Sequence, residues 1–164
     1  MRHFIFTITI FVLSCCFALP TLSQTSLSVG GFSSNPDEPI EMTADKLTIS
    51  QTDGSARFDG NVVIAQGNIK IIASLVVVTY LESGGIARLS ASGGVTVVTQ
   101  TESAEAKSAD YDLSSHSLVL SGDVLLTQGQ SAISADTMNI NLTTGAAIIE
   151  GRVRTILSSE KNND

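Results

Sequence analysis

A five-residue signature, apolar-x-Gly-x-Val, recurs four times along this chain and constrains its fold more than any other feature. The copies are Phe58-Asp59-Gly60-Asn61-Val62, Ala91-Ser92-Gly93-Gly94-Val95, Leu120-Ser121-Gly122-Asp123-Val124 and Ile149-Glu150-Gly151-Arg152-Val153. Their glycines are spaced 93−60 = 33, 122−93 = 29 and 151−122 = 29 residues apart. A second signature, Ala-Asp or Ala-Ser followed by alternating residues, falls between them at Ala44-Asp45, Ala73-Ser74, Ala109-Asp110 and Ala135-Asp136. Self-similarity at a near-constant period marks an array in which each copy adds the same piece to a shared core.

Each copy reads as strand. Ala56, Phe58, Gly60, Val62 and Ile64 share one parity and Arg57, Asp59 and Asn61 the other; Leu118, Leu120, Gly122, Val124 and Leu126 repeat the pattern. Alternation with one apolar face is the mark of a half-buried strand. Gly60-Asn61 could instead form a two-residue hairpin, but that would set Asp59 beside Val62 on the apolar face. A strand that runs through the glycine with a bend or bulge keeps the apolar set together. At the second signature the parity slips: Met42 and Ala44 give way to Leu47 and Ile49, Ile69, Ile71 and Ala73 to Val76 and Val78, and Ala135 to Met138, Ile140 and Leu142. In the third copy Ala109, Tyr111 and Leu113 keep one parity. Reversals are expected at Thr52-Asp53-Gly54, Glu82-Ser83-Gly84-Gly85, Ser114-Ser115-His116 and Thr143-Thr144-Gly145. The product is an all-β domain of four repeats, a jellyroll or solenoid-like sandwich with an aliphatic lumen.

Residues 1–23 carry an address. Met1-Arg2-His3 is a short positive start, Phe4 to Leu19 is largely apolar, and Pro20 ends the run. This is the layout of a signal peptide, with cleavage expected after Ser23; the run is too short for a span with its flanks. Val12-Leu13-Ser14-Cys15 also has the form of a weak lipoprotein box, which would lipidate Cys15. If instead the signal is cleaved after Ser23, both cysteines leave with it. Residues 24–37, with Ser, Gly and Pro but no period, read as a flexible leader, 38–157 as the domain, and 158–164 as a tail.

Little here offers chemistry. Nine basic and 16 acidic residues give a net charge of −7, and −8 once Arg2 is lost with the signal, which argues against nucleic acid. His116 lies in an expected turn, and no His and carboxylate spacing suits a metal. Asp110-Tyr111-Asp112 puts both acids on one outward strand face, Gly84-Gly85 and Gly93-Gly94 have no helix to follow them, and Gln66 and Gln128 suit strand-end hydrogen bonds. No enzyme, cofactor or metal is expected. The inward parity nominates Phe58, Val62, Ile64, Ile69, Ile71, Val95, Val97, Leu118, Leu120, Val124, Leu126, Met138, Ile140 and Ile149 as lumen residues. On pattern alone these are ordinary core positions.

Three stretches resemble a known family. Glu38-Pro39-Ile40-Glu41-Met42, then the run from Phe58-Asp59-Gly60-Asn61-Val62 through Gln66-Gly67-Asn68-Ile69-Lys70-Ile71, then Val76-Val77-Val78-Thr79 are similar to the LptA/OstA-like proteins of lipopolysaccharide transport. The resemblance spans Glu38 to Leu157. It implies a folded-over, V-shaped β-jellyroll whose lumen holds lipid A acyl chains in the periplasm, and it makes the lumen residues lipid-binding. It also implies head-to-tail joining through edge strands, with copies of itself, an inner-membrane complex and an outer-membrane translocon. The edges fall at Ile40 to Ile49 (Ile40 and Met42 foremost) and at Arg152 to Leu157 (Arg152, Val153, Thr155 and Leu157). Two sister members are set apart, one by an uncleaved span and one by a barrel after the domain. A structural periplasmic repeat protein with a packed core and no ligand is the competing expectation.

Overall fold

The computed structural model describes residues 30–157. The expected signal peptide, Cys15 and the tail 158–164 lie outside the described residues. One short 3-10 turn, Gly30–Phe32, precedes ten strands: β1 Glu41–Thr43, β2 Lys46–Ser50, β3 Ser55–Gln66, β4 Ile69–Tyr80, β5 Ile86–Val98, β6 Glu102–Asp112, β7 Ser117–Gln128, β8 Ser131–Asn141, β9 Ala147–Glu150 and β10 Arg154–Ile156. No helix among the described residues is long and apolar enough to cross a membrane. All pairings are antiparallel and belong to one sheet, in which β3 to β8 follow chain order.

The six long strands each fold in the middle. β2 pairs with the first half of β3 (Leu47 with Phe58) and β1 with the second half (Met42 with Ile64). At the far end β9 and β10 divide the two halves of β8 in the same way (Ile149 with Met138, Thr155 with Ile133). The sheet is therefore two leaves joined along a crease. One leaf ends in the reversals 51–54, 81–85, 113–116 and 142–146, all expected. The other ends at 67–68, 99–101 and 129–130, three reversals the pattern did not single out.

The crease is built by the two signatures together. Gly60 and Asn61 take φ of 76° and 46°, Gly93 and Gly94 81° and 83°, Gly122 and Asp123 82° and 48°, Gly151 and Arg152 76° and 44°. Two successive left-handed residues are a conformation that glycine adopts freely and Asn or Asp tolerates. In β3, β5 and β7 the pair is an insertion of two residues against one, as between Asp59/Val62 and Leu75/Ala73, so the strand bends without ending; Gly151 and Arg152 instead separate β9 from β10. The single residue opposite belongs to the second signature. A Cβ on Gly60 would lie 2.5 Å from Asp45 Oδ2, on Gly93 2.9 Å from Ser74 Cβ, and on Gly122 2.9 Å from Lys107 Cδ. These side chains lie across the glycines and fill the space a methyl group would need.

That arrangement corrects the third copy. Its crease residue is Lys107, preceded by Ala106, and not Asp110 after Ala109. The parity slips there as in the other copies, from Glu102 and Ala104 to Ala109 and Tyr111, which are buried on either side of it. Crease residues Asp45, Ser74, Lys107 and Asp136 are then spaced 29, 33 and 29 apart, the same two intervals that separate the glycines. An alanine-acid dipeptide three residues away is a decoy, because Ala109 pairs with Ala91 and Leu120 inside a regular ladder.

Candidate functional site

The space between the leaves holds one buried cluster. Val62, Ile64, Ile69, Ile71, Val95 and Val97 lie within it, as do Leu118, Leu120, Val124, Leu126, Met138 and Ile140; Phe58 and Ile149 pack against it, partly buried. All the nominated lumen positions thus meet in one place. The nominated lumen residues left out Phe32, Val76, Val78, Leu89, Tyr111, Ile133 and Leu142, which are equally buried. Leu89 and Tyr111 carry the same inward parity and could have been found that way; Phe32 lies outside any strand and gave no signal.

At its open side the lumen is closed by polar side chains used once each. Gln66, at the end of β3, donates from Nε2 to the carbonyls of Pro36 (3.2 Å) and Glu38 (3.0 Å) and accepts from the Tyr111 hydroxyl at 3.1 Å. Tyr111 stands on the opposite leaf, so this bond ties the leaves together. Glu102 is buried beside them and accepts at Oε1 from Gln128 Nε2 at 2.7 Å, while Oε2 has no hydrogen-bond partner among the described residues. Burial pushes its carboxyl above the ordinary value, partly offset by the facing Gly31 backbone N–H. Burial likewise raises the Tyr111 hydroxyl. Gln66 and Gln128 are strand-end hydrogen bonders, as their recurrence suggested.

The segment expected to be a flexible leader is docked from Gly30 onward. Phe32 is 0% exposed and belongs to the same cluster as the lumen residues. Asn68 Nδ2 donates to the Gly31 carbonyl at 3.1 Å, and Ser34 donates from its hydroxyl to Gln66 O (3.2 Å) and from its backbone N–H to Leu142 O (2.8 Å). Gln66 and Asn68 close one leaf and Leu142 the other, so the segment bridges the mouth. Beside these contacts Ile40, Ile64, Gln66, Ile69, Ile71, Tyr111 and Leu142 line a cavity of about 10 Å³, room for one water at most.

The edges differ from the ranges expected. The first is β1 and β2, interrupted at Ala44-Asp45; the last is β9 and β10, so half of it lies before Arg152. Met42 and Thr155 are in edge strands, Ile40 packs on the cluster, and Val153 and Leu157 are exposed beside β10. Arg152 is an ion-pair partner of Asp136 at the crease, its Nε 3.0 Å from Oδ1, and not a strand residue. Leu47 and Ile49 pair with Phe58 and Ala56 and so share the lumen side, yet they are 50% and 68% exposed.

Other candidates resolve as structural. Asp110 accepts from Ser90 Oγ at 2.6 Å and Asp112 from Arg88 at 3.0 Å, both on the outer face with Tyr111 pointing inward. His116 sits in its turn with φ 52°. Among the described residues no group of three His, Cys, Asp or Glu could hold a metal ion.

A family model described as LptA/(LptD N-terminal domain) LPS transport protein matches residues 41–146. An uncharacterized protein of Rhizobium meliloti (strain 1021) is 30% identical over 153 residues, covering 85% of this chain and 82% of that one. Among solved structures the chain is similar to LptH, the LptA homologous periplasmic component of the conserved lipopolysaccharide transport device from Pseudomonas aeruginosa. That match has a TM-score of 0.68 at 15% identity, over 77% of this chain and 99% of the other, and it speaks for the fold. With the creased sheet, its repeats and these matches in agreement, the chain belongs to the LptA/LptD N-terminal domain family of LPS transport proteins.

Proposed function

We propose that this protein is exported to the periplasm by a cleaved signal peptide, shelters lipid A acyl chains between its leaves, and passes lipopolysaccharide from the inner towards the outer membrane. The observation that carries the reading is the exposed, lumen-facing pair Leu47 and Ile49 on β2. A core complete in itself would end in polar side chains at its edge; this one stays apolar where the sheet stops. Two features support continuation into a neighbour. The rim of β1 and β2, unpaired among the described residues, can accept another strand, and the rim of β9 and β10 can supply one. Unlike edges join head to tail, with copies of this chain, an inner-membrane complex or an outer-membrane translocon. The chemistry is consistent: about 0.8 kcal/mol per methylene makes an acyl chain of a dozen carbons costly to expose to water.

One observation favours the competing reading of a structural repeat protein without ligand, and that is the small size, about 10 Å³, of the cavity between Gln66, Tyr111 and Leu142. Photo-crosslinkers at Ile64 and Leu120, with exposed Asn61 and Asp123 as controls, separate the two. Lipopolysaccharide adducts from the inward pair alone are expected; equal yields from both pairs, or none, would refute lipid carriage in the lumen.

A further inference from the structure

We propose that residues 30–38 are an internal plug, with Phe32 standing where an acyl chain would lie, and that this segment leaves the mouth when lipid enters. The inference rests on the acyl-chain reading above and adds how the lumen is kept shut.

Three observations carry it. Phe32 is fully buried among the lumen residues, yet it is held by a single 3-10 turn of three residues and by no strand pairing. Its anchors are individual hydrogen bonds to strand ends and turns: Asn68 to the Gly31 carbonyl, Ser34 to Gln66 O and Leu142 O, Gln66 to Pro36 O and Glu38 O. Because none of these lies within the ladder from β3 to β8, the segment can leave without unpairing a strand of the sheet. Finally, the cavity lined by Gln66 and Leu142, the residues that Ser34 bonds to, is about 10 Å³, too small for any length of acyl chain. Something must move before lipid binds, and strands paired on both sides cannot.

The exchange is chemically even. An aromatic side chain leaves an aliphatic pocket as methylenes enter it, so the lumen is lined in both states. The plug and the lipid then compete, and a ligand's apparent affinity is reduced by the fraction of molecules in the open state. Gly31 supplies a handle that leaves Phe32 itself unchanged. A Cβ there would meet Thr101 Oγ1 at 2.7 Å and the Glu102 carboxyl carbon at 2.8 Å, so Gly31→Val wedges the segment off its seat.

The test uses the full exported chain with cis-parinaric acid as a fluorescent acyl probe, and follows amide hydrogen exchange by mass spectrometry. In the unaltered protein, saturating probe should speed exchange at residues 30–38 while β3 and β7 stay protected. Gly31→Val should show that fast exchange without probe and bind the probe on the order of tenfold more tightly. Phe32→Ser, which keeps the backbone seat but removes the plug's side chain, should shift affinity in the same direction and serves if Gly31→Val misfolds. Two results would overturn the plug: probe bound with residues 30–38 still protected, or a loosened segment with unchanged affinity. If the folded protein and both variants bind no probe, the acyl-chain reading itself falls, which is a separate and recognisable failure.

Discussion

The crease and the mouth of the lumen lie on opposite sides of the same core and are held by different means. At the crease, one device is used four times: a left-handed pair beginning with glycine, crossed by the side chain of Asp45, Ser74, Lys107 or Asp136. At the mouth only the glutamine recurs, at Gln66 and Gln128, and its two copies have different partners. Gln66, Tyr111 and Phe32 act through contacts that cross from leaf to leaf or from the leader to the sheet, and Glu102 and Gln128 through one bond between neighbouring strands of a single leaf. The crease tolerates varied side chains because its geometry resides in the backbone. The mouth depends on particular side chains, because its polar atoms are buried and each needs its partner. A hinge fixed by backbone beside a closure fixed by a few side chains is the arrangement a container needs if it is to open without unfolding.

The largest effect should come from attacking the crease. Gly60→Ala places a Cβ 2.5 Å from Asp45 Oδ2 at a φ of 76°, and should cost about 2–3 kcal/mol, read as a lowered midpoint in urea unfolding. Gly94→Ala has a similar φ of 83° but nothing within 4 Å, so it should lose only the backbone share, about 1–2 kcal/mol. Equal costs for the two would show that the crossing side chain is irrelevant.

A smaller loss is expected at the mouth. Tyr111→Phe removes the bond between leaves and leaves Gln66 Oε1 buried without its donor, for about 1 kcal/mol. Exchange at residues 36–38, held by the same glutamine, should quicken while the crease stays protected. Since the two regions share no hydrogen-bond partner, combining Tyr111→Phe with Gly60→Ala should add to within about 0.5 kcal/mol. Strong coupling in that cycle would erase the distinction between them.

Titration should act more gently, and in opposite senses at two carboxyls. Glu102 has a raised carboxyl, so the stability its protonated form lends is full below the ordinary glutamate value of 4.5 and lost as pH rises through its higher folded value. Mild acid should therefore tighten the mouth, and Glu102→Gln should abolish that response. Asp112 behaves oppositely. The Ser114 hydroxyl foremost, then Ser115 and Arg88, hold it down at about 2, so its contribution is present above 3.8 and fades as pH falls towards 2. The smallest change should follow Lys107→Met at the crease, since its 2.6 Å pair with Asp123 is largely exposed. A salt-dependent loss there comparable to Tyr111→Phe would mean the crease relies on charge after all.

Much of this was legible from residues alone, and the reason is range. Inward parity follows from a period of two, and the need for glycine follows from a φ that other residues resist, so Val62, Ile64, Leu120 and Gly122 announced their roles within a few positions of themselves. The slip of parity at Asp45, Ser74 and Asp136 was equally local. In the third copy Lys107 broke the acid pattern, and a nearby Ala-Asp dipeptide took its place in the reading, because only cross-strand register distinguishes a crease from a ladder.

What the sequence by itself determined is the repeated part: all-β character, bends at the glycines, the lumen lining and membership of a resembling family. The tertiary structure alone decided how the lumen is closed. Phe32 gave no periodic signal, and its burial depends on a mouth assembled from strands that begin and end far along the chain. Gln66 and Tyr111 are 45 residues apart and meet only because two leaves fold onto one another. The same folding decided that the last edge begins at Ala147 rather than Arg152, since Arg152 is drawn to the crease by Asp136 on a neighbouring strand. Local conformational preference is written in adjacent residues, whereas closure is a property of surfaces that meet only after the sheet has creased.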